Sequence, residues 1–185
     1  MSDTNPSLLI VYIHGFGTTG LSSYKYGLIQ KFTEKHSWIN SVALEWQPNQ
    51  LHITDALISQ LTNHLKPHQD ILFIGSSTGG NFALQLAATL QNFSIKIGLI
   101  NPLINIEQRK IEDSRFPISL AEQLSETLID LEEVYILLGM YDEVLNPAYT
   151  INHYSHANIQ MIEKGTHSLN EYLSENMEDW LLSII

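Results

Sequence analysis

Two periodicities alternate along the chain. Short β-branched or aliphatic runs, several of them apolar at both alternating positions, occur at Leu8–Ile13 (LLIVYI), Ser41–Trp46 (SVALEW), Ile71–Gly75 (ILFIG), Ile95–Asn101 (IKIGLIN), Val134–Leu138 (VYILL) and Asn158–Ile162 (NIQMI). Runs of that length without polar alternation predict parallel strands covered on both faces. Between them apolar residues recur at helical spacing. Ala56–Leu65 carries Leu57, Leu61 and Leu65, and Ala83, Leu86, Ala87 and Leu90 follow two glycines. Leu120, Leu124 and Leu128 form a third stripe, and Leu173, Met177, Trp180 and Leu181 a fourth. Each reads as the core-facing stripe of an amphipathic helix. Strand–helix alternation of this kind predicts an α/β chain, a three-layer αβα sandwich around a mostly parallel sheet of about six strands. Without an internal repeat or a long linker, residues 1–185 read as a single domain.

Composition narrows the function classes. The chain of 185 residues has 20 acidic and 9 basic side chains, a formal net charge of −11. Nucleic-acid binding needs a basic footprint that this balance does not supply. The absence of cysteine removes disulfides, thiolate metal ligands and thiol nucleophiles. Residues 1–6 lack a basic leader pattern, and no stretch approaches the ~20 apolar residues of a membrane span. The expectation is a cytoplasmic protein without stable membrane insertion.

In open parallel sheets ligands bind beyond the carboxyl ends of the strands, so candidate chemistry is sought in the loops that follow them. After the third run stands Gly75-Ser76-Ser77-Thr78-Gly79-Gly80, a strand, G-x-S-x-G, helix arrangement. Ser77 sits at its centre, on a sharp turn that would raise the hydroxyl above the sheet, with the following helix directing its first amides beside it. Ser76 is the rival hydroxyl. A serine needs an adjacent base, and His167 lies in the loop after the last strand, at the same edge. His153 and His156 precede that strand on a helix at the opposite end, and without an H-E-x-x-H pattern they do not suggest metal binding. His36, His52, His64 and His68 lie in polar stretches. The third group is Asp142, directly after the fifth run, with Glu143 as its neighbouring alternative and Asp130 at the wrong end of the strand. The first run ends in His14-Gly15-Phe16-Gly17. One amide of this loop, that of Phe16 or alternatively Gly17, would form an oxyanion hole with the amide of Thr78. His14 reads as a brace for the loop.

These motifs together resemble the small bacterial YqiA-like esterases of the α/β-hydrolase superfamily. The resemblance runs through H-G-F near the start, G-S-S-x-G-G at the serine, Asn101-Pro102, the stretch Gly139–Leu145 and the late Gly165-Thr166-His167. It implies a minimal α/β-hydrolase fold without a large lid domain, with Ser77, Asp142 and His167 as catalytic residues and Phe16 and Thr78 as oxyanion donors. It further implies a serine esterase that hydrolyses a small-molecule ester or thioester through an acyl-enzyme, with no cofactor and no metal. The chain departs from the family after H-G-F, where it has Gly17-Thr18-Thr19-Gly20. Leu103–Leu131 could lay a small helical flap near the site, and its Arg109, Lys110 and Arg115 read as a solvated helix face. The alternative is a non-catalytic binding protein that keeps the fold.

Overall fold

The computed structural model describes residues 7–90, 92–125 and 133–185. Six strands, β1 (Leu8–Ile13), β2 (Ile39–Leu44), β3 (Asp70–Ser76), β4 (Ile95–Ile100), β5 (Val134–Gly139) and β6 (Asn158–Ile162), form one sheet in the order β2-β1-β3-β4-β5-β6. All five pairings are parallel. The chain therefore crosses the sheet through helices: α1 (Tyr24–Lys35), α2 (Ile53–Thr62), α3 (Thr78–Thr89), α4 (Ile106–Glu112), α5 (Ile118–Ala121), α6 (Pro147–His153) and α7 (Asn170–Ile184). This is the minimal α/β-hydrolase sandwich that the sequence implies.

Alternating strand residues feed two apolar layers, because successive side chains in a strand point to opposite faces. Val11, Ile13, Phe73, Ile97 and Leu99 pack with Leu57, Leu61, Phe82 and Leu86 of α2 and α3. Ile10, Tyr12, Leu72, Ile74 and Leu137 pack with Ile29 and Phe32 of α1 and Leu173, Met177 and Leu181 of α7. Tyr12 is inside the second layer, stacked on Tyr26 with its hydroxyl on Ser23 Oγ at 2.7 Å, and burial pushes its pKa up to about 12. An ion pair between Lys35 and Glu178 joins α1 to α7. Among the described residues no helix is long and apolar enough to cross a membrane.

Several boundaries differ from the sequence expectation, each for a tertiary reason. β2 begins at Ile39 and stops at Leu44. Trp46, expected as its last residue, is buried outside the ladder, stacked on the His14 ring with centroids 5.0 Å apart. Helix α2 starts at Ile53, three residues before the expected Ala56, because Gln123 Oε1 accepts the Ile53 N–H at 2.9 Å. Asn101, expected inside the fourth strand, leaves it with φ 43. Among the described residues the stripe Leu120–Leu124–Leu128 contributes to the four-residue α5, with Leu120 buried and Leu124 against the core. Leu128, Asp130 and Leu131 lie outside the described residues. His153 closes α6, but His156 stands in the turn beyond it rather than on the helix.

The strand order reverses beside β1, whose neighbours are β2 on one side and β3 on the other. Loops leaving β1 and β3 for opposite faces open a crevice at such a switch point. Here those loops are the H-G-F-G segment and the Ser77 turn. They interlock at Gly79, where a Cβ would overlap the backbone carbonyls of Ile13 and His14.

Candidate active site

Ser77 follows the last residue of β3 and precedes the first of α3, with φ 52 and ψ −122. That combination is costly for a residue with a side chain, on the order of 1–3 kcal/mol. The surroundings hold it in place. Ser77 N–H donates to Ile100 O at 2.9 Å, and Ser77 O accepts from Gly80 N–H at 2.9 Å and Leu103 N–H at 3.0 Å. Gly75 must lack a side chain as well, since a Cβ there would come within 2.6 Å of Gly79 O. The rival Ser76 is the buried last residue of β3, in register with Ile100. Ser77 is half-exposed.

The first loop lies against this serine. A Cβ on Gly15 would stand 3.2 Å from Ser77 Cβ and 3.8 Å from Ser77 Oγ. The Gly15 carbonyl accepts from His14 Nδ1 at 2.9 Å and from Thr18 Oγ1 at 3.1 Å. Because a trans peptide sets its C=O and N–H antiparallel, anchoring this carbonyl also orients the Phe16 amide. The Phe16 ring meets buried Phe116 edge-on at 5.7 Å. Thr78 opens α3, where the first amides have no intrahelical acceptor.

His14 is the brace that the sequence suggests. Its ring is buried; Nδ1 donates to Gly15 O, and Nε2 faces the Trp46 N–H at 3.4 Å. Trp46 Nε1 donates to His14 O at 3.0 Å. Glu45, 3.6 Å from Nε2, accepts the Gly20 and Leu21 amides at 3.0 and 2.8 Å and so closes the loop. Burial holds the His14 pKa below its ordinary 6.5, against the smaller opposing pulls of Gly15 O and Glu45. The native state then resists a proton that the unfolded chain accepts, so His14 removes stability as pH falls below about 6.5. In thermal unfolding between pH 7 and 5, the loss of stability should be shallower for His14→Gln than for the parent. Equal slopes would show that the native imidazole accepts the proton freely.

The acid and imidazole loops meet at two glycines. A Cβ on Gly139 would lie 2.5 Å from Gly165 O, and Tyr141 N–H donates to the same carbonyl at 2.9 Å. Across this contact His167 Nδ1 meets Asp142 Oδ1 at 2.9 Å and Oδ2 at 2.8 Å. Asp142 Oδ1 also accepts the Val144 and Leu145 amides, each at 2.8 Å. The Asp142 side chain is 2% exposed and that of His167 19%. Glu143, the alternative acid, instead accepts the His167 backbone N–H at 3.0 Å. It holds the loop, not the ring. With Nδ1 taken by the carboxylate, Nε2 is left to accept a proton. Among the described residues neither Ser77 Oγ nor His167 Nε2 has a hydrogen-bond partner.

Asn101 carried no assigned role in the sequence, yet its buried side chain reaches both loops. Oδ1 accepts the Gly139 N–H at 2.8 Å, and Nδ2 donates to Thr166 O at 3.0 Å and His167 O at 2.9 Å. The Asn101-Pro102 pair among the motifs of the family resemblance was the available signal.

Segment 103–125 is part of the apolar layer and not a detached flap. Leu103, Ile106, Phe116 and Leu120 are in the core. Asn81 exchanges bonds with Ser125 at 2.7 and 3.0 Å, and Gln123 Nε2 donates to Gln50 O at 2.7 Å. Its cations are locally matched, Arg109 and Arg115 by Asp113 and Lys110 by Glu107. Hydrogen bonds from Arg115 hold the Asp113 carboxyl below its ordinary range. Among the described residues no cluster of three or more potential metal ligands occurs.

Comparison with known proteins places this arrangement. The sequence matches an uncharacterised protein family, UPF0227, over residues 9–181. The chain belongs to the UPF0227 family. This is the YqiA-like group that its motifs resemble. No curated protein sequence gives a significant match. Several solved structures share the UPF0227 chain's fold. Est1E from Butyrivibrio proteoclasticus with ferulic acid bound has a TM-score of 0.71 and 15% identity, covering 99% of this chain and 91% of its own. Alpha/beta hydrolase domain-containing protein 10 from mouse has a TM-score of 0.70 and 14% identity, with 96% and 90% covered. The bromoperoxidase from Bacillus anthracis has a TM-score of 0.71 and 14% identity, with 97% and 92% covered. At such identities the likeness establishes the α/β-hydrolase fold of the UPF0227 chain and nothing about its substrate.

Proposed function

We propose that this UPF0227 protein is a serine hydrolase that cleaves small-molecule carboxylic esters, thioesters included, through Ser77, His167 and Asp142. The observation that carries the reading is the two-oxygen contact of buried Asp142 with His167 Nδ1, at the sheet edge where a serine is held at positive φ. Asp142 fixes the neutral imidazole with its proton on Nδ1, so Nε2 is the basic atom.

Ser77 Oγ attacks the ester carbonyl as His167 Nε2 takes its proton. The bond closes when substrate fills the crevice, since catalytic hydrogen bonds often tighten only in the complex. Negative charge develops on the carbonyl oxygen, and the amides of Thr78 and Phe16 stabilise it; Gly15 O, held by two donors, keeps the Phe16 amide oriented. His167 then protonates the departing alcohol or thiol. Water deprotonated by the same imidazole cleaves the acyl-enzyme and regenerates Ser77.

The test is covalent labelling with a fluorophosphonate probe, followed by a panel of esters and thioesters graded by acyl length. The parent protein should label and turn over a subset of the panel, and Ser77→Ala should not label. A folded parent protein that neither labels nor hydrolyses any member would overturn the reading and leave a binding protein on a hydrolase fold.

A further inference from the structure

We propose that Asn101 is the positioning residue for the His167 imidazole, setting the distance between the loop that carries the carboxylate and the loop that carries the ring. The catalytic part of this inference rests on the hydrolytic reading above; the structural part does not. Asn101 adopts φ 43 immediately after β4. Asparagine enters left-handed backbone more readily than most residues, but glycine would do so at less cost if the turn were the only requirement.

The carboxamide supplies the other requirement. It is buried to 1% exposure and faces one N–H and two carbonyls. One oxygen meets the Gly139 amide, and the two protons of one nitrogen meet the carbonyls of Thr166 and His167. This partner set fixes the orientation of the amide. Aspartate would keep the bond to Gly139 but turn a carboxylate oxygen towards two carbonyls. Serine has a single proton to give, and glycine has none. The backbone of the same corner extends the connection: Asn101 N–H donates to Leu137 O at 2.9 Å, and the preceding Ile100 O accepts the Ser77 N–H. One buried residue thus joins the β5 turn and the imidazole loop beside the serine turn.

Two other backbone groups of that loop have partners of their own. Gly165 O accepts from Tyr141, and the His167 N–H donates to Glu143. Asn101 alone holds the Thr166 and His167 carbonyls through side-chain hydrogen bonds among the described residues. The Thr166 carbonyl also accepts the Leu169 N–H at 3.3 Å, so among the described residues only the His167 carbonyl depends on Asn101 alone, and a carbonyl that loses its donor to a facing carboxylate oxygen is unfavourable. With aspartate at 101 the Thr166 and His167 carbonyls, on two successive peptides, face a carboxylate oxygen, so these peptides turn away and take the ring with them.

Two variants test this. Asn101→Asp reverses only the arm that faces the imidazole loop, whereas Asn101→Gly relieves the positive φ that partly offsets the lost bonds. The first readout is the low-field proton resonance of the His167 Nδ1–Asp142 hydrogen bond, assigned with His167→Gln; it does not depend on turnover. The second is kcat and KM on a soluble ester. The expected result is loss or displacement of the resonance in both variants, with kcat reduced about 10²-fold by the misplaced base. KM should stay within about two-fold, because ground-state binding is not touched. A folded variant with the parent resonance overturns the proposal whatever its kcat, and so does the failure of both variants to fold, which would make Asn101 purely a structural residue. If the parent shows the resonance, the variants lose it, and no ester is cleaved, the hydrolytic reading fails while the positioning role stands.

Discussion

Ser77→Ala is expected to lower kcat for ester hydrolysis by roughly 10⁴- to 10⁶-fold, the range seen when a triad nucleophile is removed. No neighbouring hydroxyl can substitute. Ser76 ends the strand in a buried position, and the Thr78 side chain is buried in the first turn of α3. The alanine variant should fold normally, since the bonds at position 77 are made by its backbone. Ser77→Gly separates chemistry from stability further. Glycine accepts φ 52 and ψ −122 without steric cost. The gain from relieved strain exceeds the entropic cost of glycine, so unfolding should be harder by about 1 kcal/mol while activity is lost. Steady-state kinetics and denaturant unfolding of the three proteins measure both effects. Alanine-variant turnover within ten-fold of the parent, or a glycine variant less stable than the alanine one, would contradict the assignment.

Asp142→Asn should reduce kcat by about 10⁴-fold with little change in KM, the loss expected when the imidazole is held in the wrong tautomer. The amide oxygen can still accept the Val144 and Leu145 N–H groups that Oδ1 takes now, so the loop keeps its shape. The amide nitrogen then faces His167 Nδ1, which must become an acceptor, and the ring proton moves to Nε2. A protonated Nε2 cannot receive the serine proton. Glu143→Gln is the control. Its oxygen can still accept the His167 backbone N–H, so kcat should remain within about ten-fold of the parent. Similar losses in the two variants would show that the pair acts only by holding the loop.

Much of the layered fold was legible because burial on both faces leaves a one-dimensional signature. β1, buried throughout, has the expected bounds, as does the more exposed edge strand β6, and Leu173, Met177, Trp180 and Leu181 are buried on α7. The misplaced boundaries share one cause. Trp46 is apolar and buried but belongs to a ring stack with His14, and the start of α2 is satisfied by Gln123 from a distant segment. Periodicity records burial; it does not record which partner provides it. The helix over Tyr24–Lys35 leaves little trace in the sequence: its apolar positions are interleaved with lysines, glutamine and glutamate, and its order comes from packing against α7 and β2.

The same division runs through the candidate site. Residue type, order and position after strands single out Ser77, Asp142 and His167 as candidates, because the turn chemistry of G-x-S-x-G and the need for a base and an acid constrain local sequence. The sequence names Asp142 with Glu143 as its neighbouring alternative, and the coordinates turn Asp142 to the imidazole and Glu143 to the His167 backbone N–H, a difference of direction that residue type does not carry. Asn101 shows the limit most clearly. Its partners lie 38, 65 and 66 residues away in the chain, and hydrogen bonds between such distant groups exist only once the parallel sheet has set the ends of β4 and β5 side by side.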